Sequence, residues 1–422
     1  MMFLLVVFYS VLVTVADITS AWLFASDPTH WGIDAIRGLR DSLLVLLALW
    51  GGVRAMGAGL PVALGAAYMA LIGIYTLASP DGVDMSVVLA SAAKLALPVL
   101  LVAVGFGGVD TPRRLQRYAL VLAALAVAST LFGAWDVRHT EFWTETLLYG
   151  HFLNQVKGIV TGFDGYYVLP FNFFGFEETR RAGGLVAAPL AQGSLVAIGT
   201  VLGFAALQRR AFVPALLLLL VGIMGVWQSG TRGAMLFLLI ALPLFLVLAE
   251  RGGAMLRNVV LLAGLLFAAW ETLYFVYSYS VNLEDGSTIG HLDALKTNLA
   301  DLDQVVLLGP GVGASGAAAA DAGLPLAGGG EGAIFAIAYQ IGLPGMFLFL
   351  AYYSVLLVRI LPLRHRQDAA GDVALATFAL AVGIVTTFIS SDHILSLSGM
   401  GVFWIALGGC LAQLGPAARV AA

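Results

Sequence analysis

Residues 331–345, Glu331-Gly332-Ala333-Ile334-Phe335-Ala336-Ile337-Ala338-Tyr339-Gln340-Ile341-Gly342-Leu343-Pro344-Gly345, run without a further charge after Glu331 into Met346 to Val358. A carboxylate here stands at the mouth of an apolar helix, just after Gly328-Gly329-Gly330. The run that follows is long enough to cross a bilayer, which takes about 20 apolar residues. Gly342 and the Pro344-Gly345 pair permit a bend or a close backbone approach. The stretch therefore predicts a short helix led by Glu331 on the aqueous side, hinged onto a membrane span.

The same composition extends over the whole chain. Of 422 residues, 60% are hydrophobic and 11% charged, against about 25% charged in an ordinary soluble protein. The fold class expected is all-α, a polytopic integral membrane protein. A formal net charge of −4 without a Lys/Arg block argues against nucleic-acid binding. The single cysteine, Cys410, excludes disulfides and cysteine-based metal sites within one chain. Met1 to Leu5 lack the basic start of a signal peptide and are expected to open a first span that stays attached.

Apolar windows fall near 3–24, 41–54, 56–78, 86–107, 117–136, 184–207, 212–228, 233–249, 257–279, 331–359, 371–390 and 397–414. About 12 transmembrane helices are expected, the second of them the weakest. Basic clusters follow the fourth, sixth, eighth and tenth windows, at Arg113-Arg114-Arg117, Arg209-Arg210, Arg251-Arg257 and Arg359-Arg364-Arg366. The positive-inside rule puts those loops and both termini in the cytoplasm. Arg37 and Arg40 dissent, since they precede the second window on the outer side. The chain then divides into N-terminal transmembrane helices (1–136), an outer loop (137–183), central helices carrying arginine motifs (184–279), a second outer loop (280–330) and C-terminal helices (331–422). The first loop is rich in aromatics, including Trp143 and Phe171 to Phe176, which suit either a lipid interface or sugar stacking. The second joins an amphipathic piece, Leu292 to Val306, to an Ala/Gly tract.

On the outer side, Arg180, Arg181, Arg232, Glu331, Asp392 and His393 collect at the ends of different spans. An arginine at a helix N-terminus adds its bidentate fork to the helix's own positive end, which suits phosphate or pyrophosphate. A pyrophosphate-carrying lipid is the natural ligand; the alternative is that these arginines only anchor span ends by snorkelling. In Ser229-Gly230-Thr231-Arg232-Gly233, Ser229 or Thr231 is available as an N-cap. Leu308-Gly309-Pro310-Gly311-Val312-Gly313 is a backbone-permissive loop.

With these blocks in order, the chain resembles the bacterial O-antigen ligase and O-antigen or exopolysaccharide polymerase superfamily. Arg181, Gly184 and Pro189 match its Arg-x-x-Gly-x-x-x-x-Pro pattern, with Leu190 where an Asn is common. Ser229 to Gly233 resemble its Ser/Thr-Arg-Gly segment, and Gly309 to Gly313 its Gly-x-Gly-x-Gly loop. The opening stretch matches a polar residue, nine residues and Gly-x-x-Gly; Glu331-Gly332 stands where the ligases carry His and a polar residue, which leans toward the polymerases.

The resemblance implies a GT-C-like architecture with two long periplasmic loops, in the bacterial inner membrane, with the active site facing the periplasm. It implies metal-independent, inverting glycosyl transfer from an undecaprenyl-pyrophosphate-linked oligosaccharide to a glycan acceptor, without a cofactor. The partners it suggests are the lipid-linked donor, the acceptor glycan, the lipid bilayer and a chain-length regulator or other export protein. Candidate catalytic residues are Glu331, Arg181 and Arg232; candidate substrate-binding residues are Arg180, Gly184, Gly311, Gly313 and His393. Asp392 and His393 are the alternative base, or a capping pair in a tight turn. Rival readings are a ligase acting on the lipid A core and a transporter or flippase for a lipid-linked solute. Asp301-Leu302-Asp303 suggests a metal, but i and i+2 do not share a helix face. Asp17, Lys94 and Glu271 lie at similar depth within their windows, and Lys94 is expected to pair with Glu271 or Asp17.

Overall fold

The computed structural model describes residues 1–79, 83–159, 168–175, 179–249, 286–305, 309–316 and 328–414, with single positions at 161, 261, 264, 319, 320 and 323. Its helices in chain order are α1 (Met2–Ser26), α2 (Gly32–Ala55), α3 (Leu60–Leu77), α4 (Met85–Gly108), α5 (Pro112–Asp136), α6 (Tyr149–Lys157), α7 (Pro189–Leu207), α8 (Phe212–Ser229), α9 (Arg232–Leu248), α10 (Gly286–Ala300), α11 (Ala333–Ile360), α12 (Ala369–Ile384) and α13 (Gly401–Ala412). The only extended pairing among the described residues is an isolated bridge between Phe174 and Arg180.

Eight of these helices are long and apolar enough to cross a membrane, and α9 and α13 are shorter apolar helices. The protein is therefore a multi-pass helical membrane protein. Apart from the single positions 261 and 264, the expected span at 257–279 lies outside the described residues. The second window is the apolar half of α2, whose first turns carry Asp34, Arg37, Arg40 and Asp41. Arg37 there donates to the Val156 carbonyl of α6 at 3.3 Å, and at the other end Arg54 pairs with Asp110 at 2.8 Å. So α2 runs the length of the bundle; of its dissenting cations Arg37 ties it to α6, and Arg40 pairs with the neighbouring Asp41. The sixth window opens five residues before α7. Gly184 and Ala187 both take positive φ, and Pro189 then supplies the first helical residue.

The core forms around α7, which is buried on nearly every side by α5, α8, α9 and α12. Small residues make this possible. A Cβ on Gly199 would overlap the Leu122 carbonyl of α5, and Gly222 and Gly225 of α8 receive the side chains of Thr200 and Thr130. Close approach of this kind, not hydrophobicity, drives helix association in lipid. Large side chains such as Leu46, Leu49, Leu217, Leu220, Phe347 and Val358 stay exposed on the outside. On a membrane protein those faces meet lipid.

One end of the bundle is pinned by cations. Arg209 at the end of α7 bonds the buried Asp372 of α12, and Arg366 pairs with Asp368 at 2.7 Å. Burial alone would raise the Asp110 pKa, but hydrogen bonds from Arg114 and Arg54 outweigh it and hold the carboxyl below its ordinary value. The opposite end carries a satellite core of loop aromatics, with Trp143, Tyr149, Phe152 and Phe173 packed against Phe24 of α1. Those aromatics are structural, so only part of the first loop is left to line a groove.

Within α11 the helix breaks at Ile341 and Gly342, where Gly342 has φ 73° and ψ 172°. The expected hinge is present. The segment before it is not an aqueous helix, however: Ala333 and Phe335 to Ile341 are buried, and Glu331 precedes the helix, with Gly332 at its N-cap.

Candidate functional site

At the end opposite the basic cluster, a cavity of about 740 Å³ opens between the starts of α9 and α11, the 180s segment and the turn after α12. Arg181, Arg232, His291, Glu331, Asp392 and His393 all line it, together with Phe171, Phe174, Leu190, Phe237 and Met400. All three expected catalytic residues share this one space, and His393 joins them.

The local chain explains how the two arginines meet. Gly230 ends α8 in the left-handed region, with φ 59°, and its N–H donates to the Trp227 carbonyl at 2.9 Å. A Cβ at Gly230 would lie 2.9 Å from Arg181 Nε, and one at Gly175 would lie 3.2 Å from the same atom. Two glycines thus leave the channel in which the Arg181 side chain runs. Backbone bonds from Arg181 N to the Phe173 carbonyl and from Ala182 N to the Gln228 carbonyl, each 2.9 Å, hold its segment across the end of α8. Thr231 takes the N-cap position of α9, but its hydroxyl donates to the Pro189 carbonyl at 2.9 Å and not to the helix. Arg232 follows as the first helical residue, where unpaired N–H groups add to its charge.

Arg180 is directed elsewhere. Its guanidinium stacks on Phe173 and Phe174, donates to Thr140 Oγ1 at 3.1 Å and to the Arg181 carbonyl at 2.8 Å, and faces Asp136 at 3.8 Å. It does not line the cavity, and burial lowers its pKa, partly offset by Asp136. Gly184 also lies away from the cavity. With φ 57° it donates its N–H to Asp136 Oδ2 at 2.8 Å, and a Cβ there would overlap Gln192. Asp136, fully buried, thereby clamps the arginine segment from behind.

Glu331 is positioned by α10, the helix of the connection that precedes α11. His291 Nδ1 hydrogen-bonds Glu331 Oε2, and Asn298 Nδ2 donates to the Glu331 carbonyl at 2.9 Å. Asn298 is itself buried, accepting from Gly329 N and lending its carbonyl to Tyr339, each at 2.8 Å. These two residues escaped the sequence reading. Their seven-residue spacing places them on one face of α10, two turns apart, which was the available clue.

Neither Gly311 nor Gly313 lines either cavity; Gly311 takes a φ of 117° in the loop, and Gly313 serves the hinge. Gly313 N donates to Gln340 Oε1 at 3.2 Å, and the loop lies against the break in α11, so that a Cβ on Gly309 would sit 2.7 Å from Gly342 N. A second cavity, of about 180 Å³, adjoins the first at Asp392 and His393 and contains Lys94. Burial pushes the His393 pKa down to about 4, with Asp392 acting the other way, and its Nε2 has no hydrogen-bond partner. Lys94 is not tied to Asp17, which pairs with Lys157 at 2.7 Å, and Glu271 lies outside the described residues. Asp301 and Asp303 line neither cavity. Among the described residues no three His, Cys, Asp or Glu side chains cluster to hold a metal ion.

The arrangement offers two fixed cations for a polyanion and a hydrogen-bonded carboxylate that can accept a proton. The chain matches no family model, no curated protein and no solved structure.

Proposed function

We propose that this protein is an inner-membrane glycosyltransferase that acts at the periplasmic face, passing a glycan from an undecaprenyl-pyrophosphate carrier to a sugar hydroxyl and so polymerising repeat units. The observation that carries the reading is the meeting of Arg181, Arg232 and the Glu331–His291 pair in one cavity at the end of a lipid-facing bundle. In the reaction the acceptor oxygen attacks the anomeric carbon as the bond from that carbon to the phosphate oxygen breaks, which inverts the centre. Negative charge grows on the departing pyrophosphate, where Arg181 and Arg232 offset it; comparable donors to a developing oxyanion contribute roughly 3–4 kcal/mol each. Glu331, held through Oε2 by His291, takes the hydroxyl proton, and general-base help of this kind is worth about 10²–10⁴ in rate.

The test is a gel of the polysaccharide from a strain deleted for its own polymerase, supplied with a matched repeat unit and complemented with this chain, Glu331→Ala or Arg232→Ala. A long ladder from the wild type that disappears in both variants is expected. Attachment of preformed glycan to the lipid core alone would assign a ligase. Full activity in both variants would reject the site, and a wild type without any glycan phenotype would return the protein to the transporters.

A further inference from the structure

Two side-chain atoms in the lining of the smaller cavity, Ser91 Oγ and His393 Nε2, are buried without a hydrogen-bond partner. Lys94 makes no hydrogen bond or ion pair with any described residue, Asp392 included. Ser91, one turn before it on α4, is 2% exposed, and yet its hydroxyl has no partner. Ser10, Thr14, Ser194 and Thr377 bond the carbonyl four residues back, whereas Thr130 and Thr200, in the glycine-lined contacts of α5, α7 and α8, share the lack of a partner without lining this cavity. His393 Nε2 is the second shielded, unpartnered atom of this lining. Gln340, on the opposite wall, is by contrast satisfied at both ends by Ala336 and Gly313.

An ammonium about 12 Å inside its helix by the 1.5 Å rise is costly in a bilayer without a counter-ion. The cavity volume of about 180 Å³ corresponds to about six waters at roughly 30 Å³ each, which is room for a small polar group and not for a chain. Lys94 with the two unpartnered groups, Ser91 Oγ and His393 Nε2, complements a carboxylate, which brings one negative charge and two accepting oxygens, while Asp392, which has an interaction of its own, stands at the junction with the larger cavity. A phosphate would bring more charge than one ammonium balances, and the paired arginines next door suit it better.

We infer that this cavity binds the carboxylate of an acidic sugar in the glycan that the larger cavity handles. This rests on the glycan-transfer reading, since the two cavities meet at Asp392 and His393 and the acidic residue would lie beside the reacting sugar. Lys94 supplies the charge, Ser91 a hydroxyl, and His393 the ring nitrogen nearest the junction.

The probes are sodium glucuronate, glucose and inorganic phosphate, titrated by saturation-transfer NMR against the full chain in lipid nanodiscs. Glucuronate is expected to bind at least tenfold tighter than glucose, and Lys94→Gln to lose at least tenfold, which Lys94→Arg restores in part. Ser91→Ala is expected to weaken glucuronate several-fold with an unchanged unfolding temperature. Lys94→Gln is expected to unfold no earlier than the wild type, because it removes an unpaired charge. Equal binding of glucose, Lys94-dependent phosphate binding as tight as that of glucuronate, or a Ser91→Ala protein that binds like wild type would each overturn the assignment. Farnesyl pyrophosphate and Arg232→Ala separate the two readings. A wild type that ignores farnesyl pyrophosphate but binds glucuronate through Lys94 keeps the carboxylate site and removes the transfer reading.

Discussion

Removing the Asp136 carboxylate tests whether the arginine segment is held from behind. Its two oxygens do different things: Oδ2 accepts the Gly184 N–H at 2.8 Å, and Oδ1 has no hydrogen bond but stands 3.8 Å from Arg180 Nη2. Asp136→Ala leaves a buried N–H unsatisfied, at about 1–3 kcal/mol. It also strips the counter-charge from a guanidinium that is 12% exposed. Breaking a buried pair costs roughly 3–5 kcal/mol, but Arg180 keeps Thr140, two carbonyls and two ring faces, so its share lies below that range. The sum is about 3–4 kcal/mol. Asp136→Asn retains an acceptor for Gly184 and loses only charge, so about 1–2 kcal/mol is expected from the difference between charged and neutral hydrogen bonds. Equilibrium unfolding in mixed micelles, followed by tryptophan fluorescence, reads both. The cycle with Arg180→Met should show a coupling of about 0.5–3 kcal/mol. An Asp136→Ala protein within 1 kcal/mol of wild type, or strictly additive single variants, would refute the clamp.

Gly230→Ala puts a methyl 2.9 Å from Arg181 Nε at a φ of 59°; a stability loss of about 1–2 kcal/mol should accompany weaker farnesyl pyrophosphate binding, read by nanodisc titration. Asn298→Leu keeps the bulk of the side chain but drops its bonds to Gly329 and Glu331. It should cost about 1–3 kcal/mol and lower glycan transfer while pyrophosphate-lipid binding persists. For His393 the folded pKa of about 4 lies below the ordinary 6.5, so between those values the unfolded chain binds the extra proton. Stability should be full above pH 6.5 and fall toward pH 4, by roughly 3 kcal/mol at most; in unfolding curves His393→Asn should flatten that slope.

What the sequence made legible follows from where polar groups interrupt apolar runs. Arg181, Arg232, Glu331 and His393 stand at such interruptions, and the chain's antiparallel spans bring those ends together in space. The hinge was equally readable, since only a glycine suits the φ of 73° at position 342. Orientation was not. Arg180 and Arg181 are neighbours in one motif, but one faces the cavity and the other faces Asp136, a residue from the end of a different helix. Gly184, Gly311 and Gly313 were read as ligand-contacting because glycine loops often are; none lines the cavity, and Gly184 accommodates Asp136 and Gln192 while Gly313 bonds Gln340 beside the helix break. Lys94 shows the limit of depth as a criterion. Charges at equal depth need not share a neighbour, and Asp17 found Lys157 from the short helix α6, which an apolar-window reading does not contain. The same blindness hid His291 and Asn298, since an amphipathic pattern reveals that a helix docks without saying onto what. Where tertiary contact decides a side chain's partner, residue type and spacing constrain the chemistry available at the site, and only the packing says which of two adjacent cations performs it.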